Sequence, residues 1–115
     1  MPPSADMATD VRTILLTAPD ADVAERVGRA LVAERLAACA NIVPGVVSLF
    51  RWEGRIQREA EVLVIVKTTD DRVEDLCARV VELHPYQVPE VLVLPVVAGH
   101  PPYLDWVRGE VGARG

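Results

Sequence analysis

The sequence predicts an α+β domain organised on one four-stranded antiparallel sheet, and three observations predict it. Apolar runs of strand character alternate with stretches of helical period in the order β-α-β-β-α-β, and one more short amphipathic stretch follows. The two middle runs, Ala38 to Phe50 and Ile56 to Thr68, flank the turn Trp52-Glu53-Gly54-Arg55 and so form a hairpin. The second arm becomes continuously apolar at Val62 to Val66, the pattern of a strand buried on both faces. Together these give a ferredoxin-like split βαβ fold, with two helices on one face, an extended hairpin and a C-terminal helix.

Each element has a local reason. Residues 1–10 form a Pro/Ser/Asp stretch, expected to be a disordered tail; the single domain spans 11–111, and 112–115 is a flexible end. Val11 to Thr17 is a strand that Ala18-Pro19-Asp20 breaks. A helix runs from about Ala21 to Leu36, with Asp22 and Glu25 as its capping pair and Val23, Val27, Ala30 and Leu31 as its apolar face. Pro44-Gly45 interrupts the first hairpin arm and marks a bulge or an edge, because proline cannot donate to the ladder. Asp70-Asp71 start the second helix, with Asp71 and Glu74 as a capping pair and Val73, Leu76, Cys77 and Val80 as its stripe. Pro85 ends it after His84. Val91 to Val97 is the last strand and Tyr103 to Val111 the closing helix.

Composition narrows the function. At 115 residues the chain builds one core, and half of its residues are hydrophobic, mostly Val, Leu and Ala. A net charge of −5 with dispersed arginines argues against nucleic-acid or anionic-membrane partners. No apolar run approaches the roughly twenty residues of a membrane span, and Met1 to Asp10 has no signal-peptide pattern, so a soluble cytoplasmic protein is expected. Cys39 and Cys77 lack motif spacing and read as free thiols. No Gly-rich phosphate loop, Cys-rich zinc pattern or nucleophile elbow occurs, and with only two histidines a non-catalytic protein is the expectation.

Hairpin arms of about thirteen residues extend roughly 40 Å, whereas the other strand candidates are of ordinary length. The distal hairpin therefore lacks partners within its own chain. Exposed edges invite pairing, and a closed ring of copies is the simplest way to cover them. The aromatics agree with this. Phe50, Trp52, Tyr86, Tyr103 and Trp106 are the only five, and four lie in polar or Pro/Gly-rich neighbourhoods, which suits an interface or a pocket better than a core.

Several motifs resemble the CutA family. They are Leu36-Ala37-Ala38-Cys39-Ala40-Asn41 before the hairpin, Trp52-Glu53-Gly54 at its tip, Lys67-Thr68-Thr69 at its end, His84-Pro85-Tyr86-Gln87-Val88-Pro89-Glu90, and Tyr103-Leu104-Asp105-Trp106. The resemblance runs from about Arg12 to Val111. It implies a role in divalent-cation tolerance and a homotrimer whose hairpins extend onto neighbouring subunits. Its architecture is similar to PII-like signalling trimers, so an allosteric trimer that binds a nucleotide or metabolite is the alternative function. The family also implies copper or another divalent cation as ligand, but two of its ligand positions are Leu16 and Leu83 here. His84 alone remains of that metal set, and one imidazole does not make a copper site.

The residues most suited to ligand binding are Lys67, His84, Tyr86 and Glu90, expected around one cleft, with Trp52, Glu59 and Glu61 completing it from an adjacent subunit. Lys67 is the single lysine among twelve basic residues, a compact ammonium where the chain otherwise uses the planar guanidinium. It is either a strand-end lysine with a buried stem or a site residue. His84 either caps the carbonyls of its helix or faces the cleft. Glu59 and Glu61 share one strand face, solvated or paired across subunits. Tyr86 and Glu90 bracket a loop, and Trp52 shares a face with Phe50 at the hairpin tip.

Overall fold

The computed structural model describes residues 8–112. The elements are β1 (Val11–Ala18), α1 (Ala21–Ala33), β2 (Cys39–Trp52), β3 (Arg55–Thr69), a 3-10 turn (Asp70–Arg72), α2 (Val73–Leu83), β4 (Val91–Pro95) and α3 (Pro101–Glu110). The sheet order is β2-β3-β1-β4 and every pairing is antiparallel. This is the predicted α+β ferredoxin-like arrangement. The expected tail at 1–7 and end at 113–115 lie outside the described residues. Thr9 and Asp10, assigned to that tail, are held in place: the Thr9 amide donates to the Val96 carbonyl at 3.0 Å, and Arg108 Nη2 lies 2.7 Å from Asp10.

The core is aliphatic, as the composition implies. Ile14 and Leu16 of β1, Val64 and Val66 of β3, Leu31 of α1, and Leu76 and Val80 of α2 are almost fully buried between the sheet and the two helices. Alternation places Val62, Val64 and Val66 on this helix side and Glu61, Leu63, Ile65 and Lys67 on the other. Gly28 permits a close approach of α1 to β2, because a Cβ there would lie 3.2 Å from that of Ala40. A second cluster of Val11, Ala38, Leu104, Val107 and Val111 attaches α3. Arg35 secures it: its Nη2 donates to the Gly109 carbonyl at 2.9 Å and its Nε to that of Glu110 at 3.1 Å. Arg35 does this at φ 59°, a left-handed conformation unusual for a side chain of its size.

Two expected caps are corrected. Asp20, not Asp22, caps α1, since its extended backbone lets Oδ1 accept from the Val23 amide at 2.8 Å. Asp71 is not the N-cap of α2; the 3-10 turn Asp70–Arg72 intervenes, Arg72 occupies the cap position, and the Thr69 hydroxyl donates to the Asp71 carboxylate. The first helix also stops at Ala33 rather than Leu36, because the left-handed turn at Arg35 ends it.

The hairpin is as long as the sequence implied, with arms of 14 and 15 residues. Glu53 and Gly54 both have positive φ between the Trp52–Arg55 pair, which is the two-residue type I′ geometry. The register shifts between Val43 and Val46, at Pro44-Gly45. Only Val62 to Thr69 of β3 pairs with β1, so among the described residues Arg55 to Glu61 has β2 as its sole strand neighbour. The projection shows in the radius of gyration, 15.0 Å, where a compact chain of this size has about 13 Å.

Candidate functional site

The sheet face opposite α1 and α2 carries Lys67, Glu59, Glu61 and Trp52, and the predicted residues other than Trp52 fall in two groups. Cross-strand partners share a face, so the register lays this surface out directly. Cys39, Lys67, Thr13 and Leu94 form one row; Asn41, Ile65, Leu15 and Leu92 form the next; Val46 with Glu61 and Ser48 with Glu59 lie further out on the hairpin.

The first group stands where β1 ends. The Nε2–H of His84 donates to the Thr17 carbonyl at 2.7 Å, because a carbonyl can only accept. Its Nδ1 accepts from the Tyr86 amide at 3.1 Å. The imidazole is 7% exposed and both nitrogens are engaged, so it pins the loop after α2 and leaves no lone pair for a metal. The Tyr86 ring lies 4.7 Å from it, and the Tyr86 hydroxyl donates to Glu61 Oε2 at 3.2 Å. Partial burial pushes the Tyr86 phenol above the ordinary tyrosine value, and the charges of Glu61, Glu59 and Asp20 push it the same way. Glu90 is exposed and directly precedes Val91, whose partner is Leu16, so it stands at this end of the sheet.

The second group stands toward the other end. Lys67 Nζ donates to the side-chain oxygen of Asn41 and has no carboxylate partner among the described residues. Cys39, directly across from Lys67, has its Sγ 3.8 Å from the Tyr103 hydroxyl. Burial raises the Tyr103 phenol and the contact with Cys39 adds to it. Tyr103 and Trp106 have ring centroids 5.7 Å apart.

Within one chain, Lys67 therefore does not join His84, Tyr86 and Glu90. Six positions along a strand separate it from Glu61, roughly 20 Å. Glu61, expected from a neighbour, instead meets Tyr86 of its own chain. Trp52 stands apart at the hairpin tip and is 59% exposed. Sequence reading missed Asn41, Asp20 and the Thr17 carbonyl as partners. Asn41 alone had a signal, two residues from Cys39 on the strand that opposes Lys67.

A copper centre does not fit these residues. Among the described residues no group of three or more His, Cys, Asp or Glu converges on a common point. Leu16 is a core side chain and Leu83 packs against the same cluster. His84 is committed to backbone atoms.

Residues 12–110 match the model of the family described as CutA1 divalent ion tolerance protein. The chain belongs to this family. A divalent-cation tolerance protein CutA of Thermus thermophilus is 48% identical over 99 residues, covering 86% of this chain and 96% of that one. Protein CutA of Mus musculus is 44% identical over 98 residues, covering 85% of this chain and 55% of the mouse protein. CutA folds among solved structures agree. The Thermus thermophilus protein superposes with TM-score 0.87 at 47% identity, covering 89% of this chain and 99% of its own. CutA1 of Oryza sativa superposes with TM-score 0.90 at 35% identity, covering 94% and 99%.

Proposed function

We propose that this CutA1-family chain acts in divalent-cation tolerance as a non-catalytic homotrimer, with its ligand site in the clefts between subunits and not in a copper centre of one chain. One observation carries the assembly: all five aromatic side chains are more than a third exposed, and Phe50 and Trp52 on one face of the hairpin, with Val47, Leu49 and Ile56 on the other, leave apolar surface open on both sides of it. Covering each such side chain is worth up to about 1.5–3 kcal/mol before the cost of association is subtracted. The number three comes from the family resemblance. Tyr86, Glu61, Glu59, Glu90 and Trp52 are the groups a cleft would use, and carboxylates with a phenol suit a hard divalent cation better than copper. Free Cys39 and Cys77 agree with a reducing, cytoplasmic setting.

A second reading, a PII-like trimer that binds a nucleotide or metabolite, is favoured by the exposed Tyr103–Trp106 pair, a platform on which a planar ligand can stack. Light scattering at micromolar chain concentration tests the assembly, and a monomer overturns it. Calorimetric titration of the metal-free trimer with calcium, manganese and copper, then with nucleotides, separates the ligands. Tight copper binding that persists in Glu59→Gln and Glu61→Gln chains would refute the carboxylate cleft.

A further inference from the structure

The face opposite α1 and α2 carries very few charges. Among its strand residues there is an arginine at the hairpin turn, Arg55, two carboxylates, Glu59 and Glu61, and one ammonium, Lys67; β1, β2 and β4 contribute none. Glu61 is engaged by the Tyr86 hydroxyl. Glu59 has no hydrogen bond or ion pair among the described residues, and Lys67 has only the neutral oxygen of Asn41. These two unpaired, opposite charges lie on the same face of one strand, eight residues or roughly 26 Å apart. They cannot meet within a chain.

The surroundings of Lys67 make that consequential. Ile65 on its own strand and Leu15 on β1 lie close to it, Leu94 and Leu92 continue the same apolar face across β4, and Leu92 and Leu94 are exposed. A partner that covers this apolar surface also covers the ammonium. An isolated buried charge is strongly unfavourable unless a counter-charge arrives with the covering surface. The distal hairpin supplies one. It projects beyond its own sheet with Phe50 and Trp52 on the same face as Glu59, so it offers apolar surface and a free carboxylate together.

We infer that Lys67 of one subunit forms an ion pair with Glu59 on the hairpin of a second copy, and that this pair sets how the copies register. The inference rests on the homo-oligomer proposed above. The pair gives each cleft a residue from either side: Lys67 with Asn41, Cys39 and Tyr103 from one copy, and Glu59 beside Glu61 and Tyr86 from the next. It also assigns the single lysine a task, that of a compact point charge which one carboxylate can neutralise.

Because Lys67 is the only lysine, zero-length carbodiimide coupling tests this directly. A mixture of isotopically light and heavy chains, co-assembled and coupled, should yield Lys67–Glu59 amide peptides that mix the two labels. Lys67→Arg and Glu59→Gln should each abolish them, while Glu61→Gln should not. In a second arm, Lys67→Glu and Glu59→Lys should each raise the concentration for half-dissociation by at least about tenfold, and the doubly reversed chain should recover most of the loss. An intact oligomer in which Lys67 stays uncoupled, or couples to another carboxylate, overturns the pair and leaves the assembly standing. A monomer by light scattering removes both. A doubly reversed chain no better than the single variants also overturns the pair.

Discussion

His84 holds the Thr17 carbonyl through Nε2 at 2.7 Å while its Nδ1 takes the Tyr86 amide at 3.1 Å. One buried ring thus joins the end of β1 to the loop that carries Tyr86 and Glu90. The bond to Thr17 spans 67 positions in sequence, so the ring acts as a tertiary tie and not as a local helix cap. A carbonyl acceptor and an amide donor together select one neutral tautomer, protonated on Nε2.

Replacing His84 with leucine should lower unfolding free energy by about 1–3 kcal/mol, since a buried carbonyl and an amide both lose their partner. Chemical denaturation measures it. Copper affinity, followed by competition titration, should be unchanged between the two proteins. A large loss of copper binding with little loss of stability would show that the ring is a ligand after all.

Tyr86 makes stability depend on alkaline pH. Its folded-state phenol is raised by burial first and by Glu61, Glu59 and Asp20 after that, so the folded state holds the proton more tightly than the unfolded chain, where tyrosine titrates near 10. The associated stability is fully present below that value and disappears as pH rises through the folded one. Tyr103 shifts the same way, so Tyr86→Phe should flatten the alkaline fall of melting temperature without abolishing it. An unaltered alkaline limb in Tyr86→Phe would place the effect elsewhere.

Gly28 lies where α1 rests on β2. A methyl group there meets the Ala40 Cβ at 3.2 Å, and that atom moves only with its strand. Gly28→Val should therefore cost about 1–3 kcal/mol through overpacking. Adding Ala40→Gly should recover part of the cost, a coupling that a double-mutant cycle measures.

Arg35 combines a strained backbone with two bonds that close α3. Alanine keeps the strain and loses the bonds, whereas glycine loses the bonds and removes the strain. Arg35→Ala should be less stable than Arg35→Gly by about 1 kcal/mol. The reverse order would mean that the left-handed backbone there is not under strain.

Much of this architecture was legible because it follows from short-range chemistry. Trp52-Glu53-Gly54-Arg55 specifies a two-residue turn, Pro44-Gly45 specifies a break in pairing, and the apolar run Val62 to Val66 marks a central strand, although within the chain only its helix side is fully buried and Leu63 and Ile65 on the other side are half-buried. The helix starts were misread because several acids crowd each one. That Asp20 and not Asp22 caps α1, and that a 3-10 turn and not a cap at Asp71 opens the second helix, depends on where the preceding strand releases the chain, and pairing with distant strands decides that.

The candidate site divides along the same line. By itself the sequence determined the fold class, the overlong hairpin, the aliphatic core and the residue types that a cleft would use, because periodicity, turn chemistry and rarity are written locally. Only the tertiary structure decided which of those residues meet. Register placed Lys67 opposite Cys39 and beyond reach of Glu61, brought Tyr86 of the same chain to Glu61, and consumed both nitrogens of His84 in backbone bonds. The bonds His84–Thr17 and Tyr86–Glu61 and the pairing Cys39–Lys67 join residues tens of positions apart, and such contacts are set by how strands align in space, which no local pattern encodes.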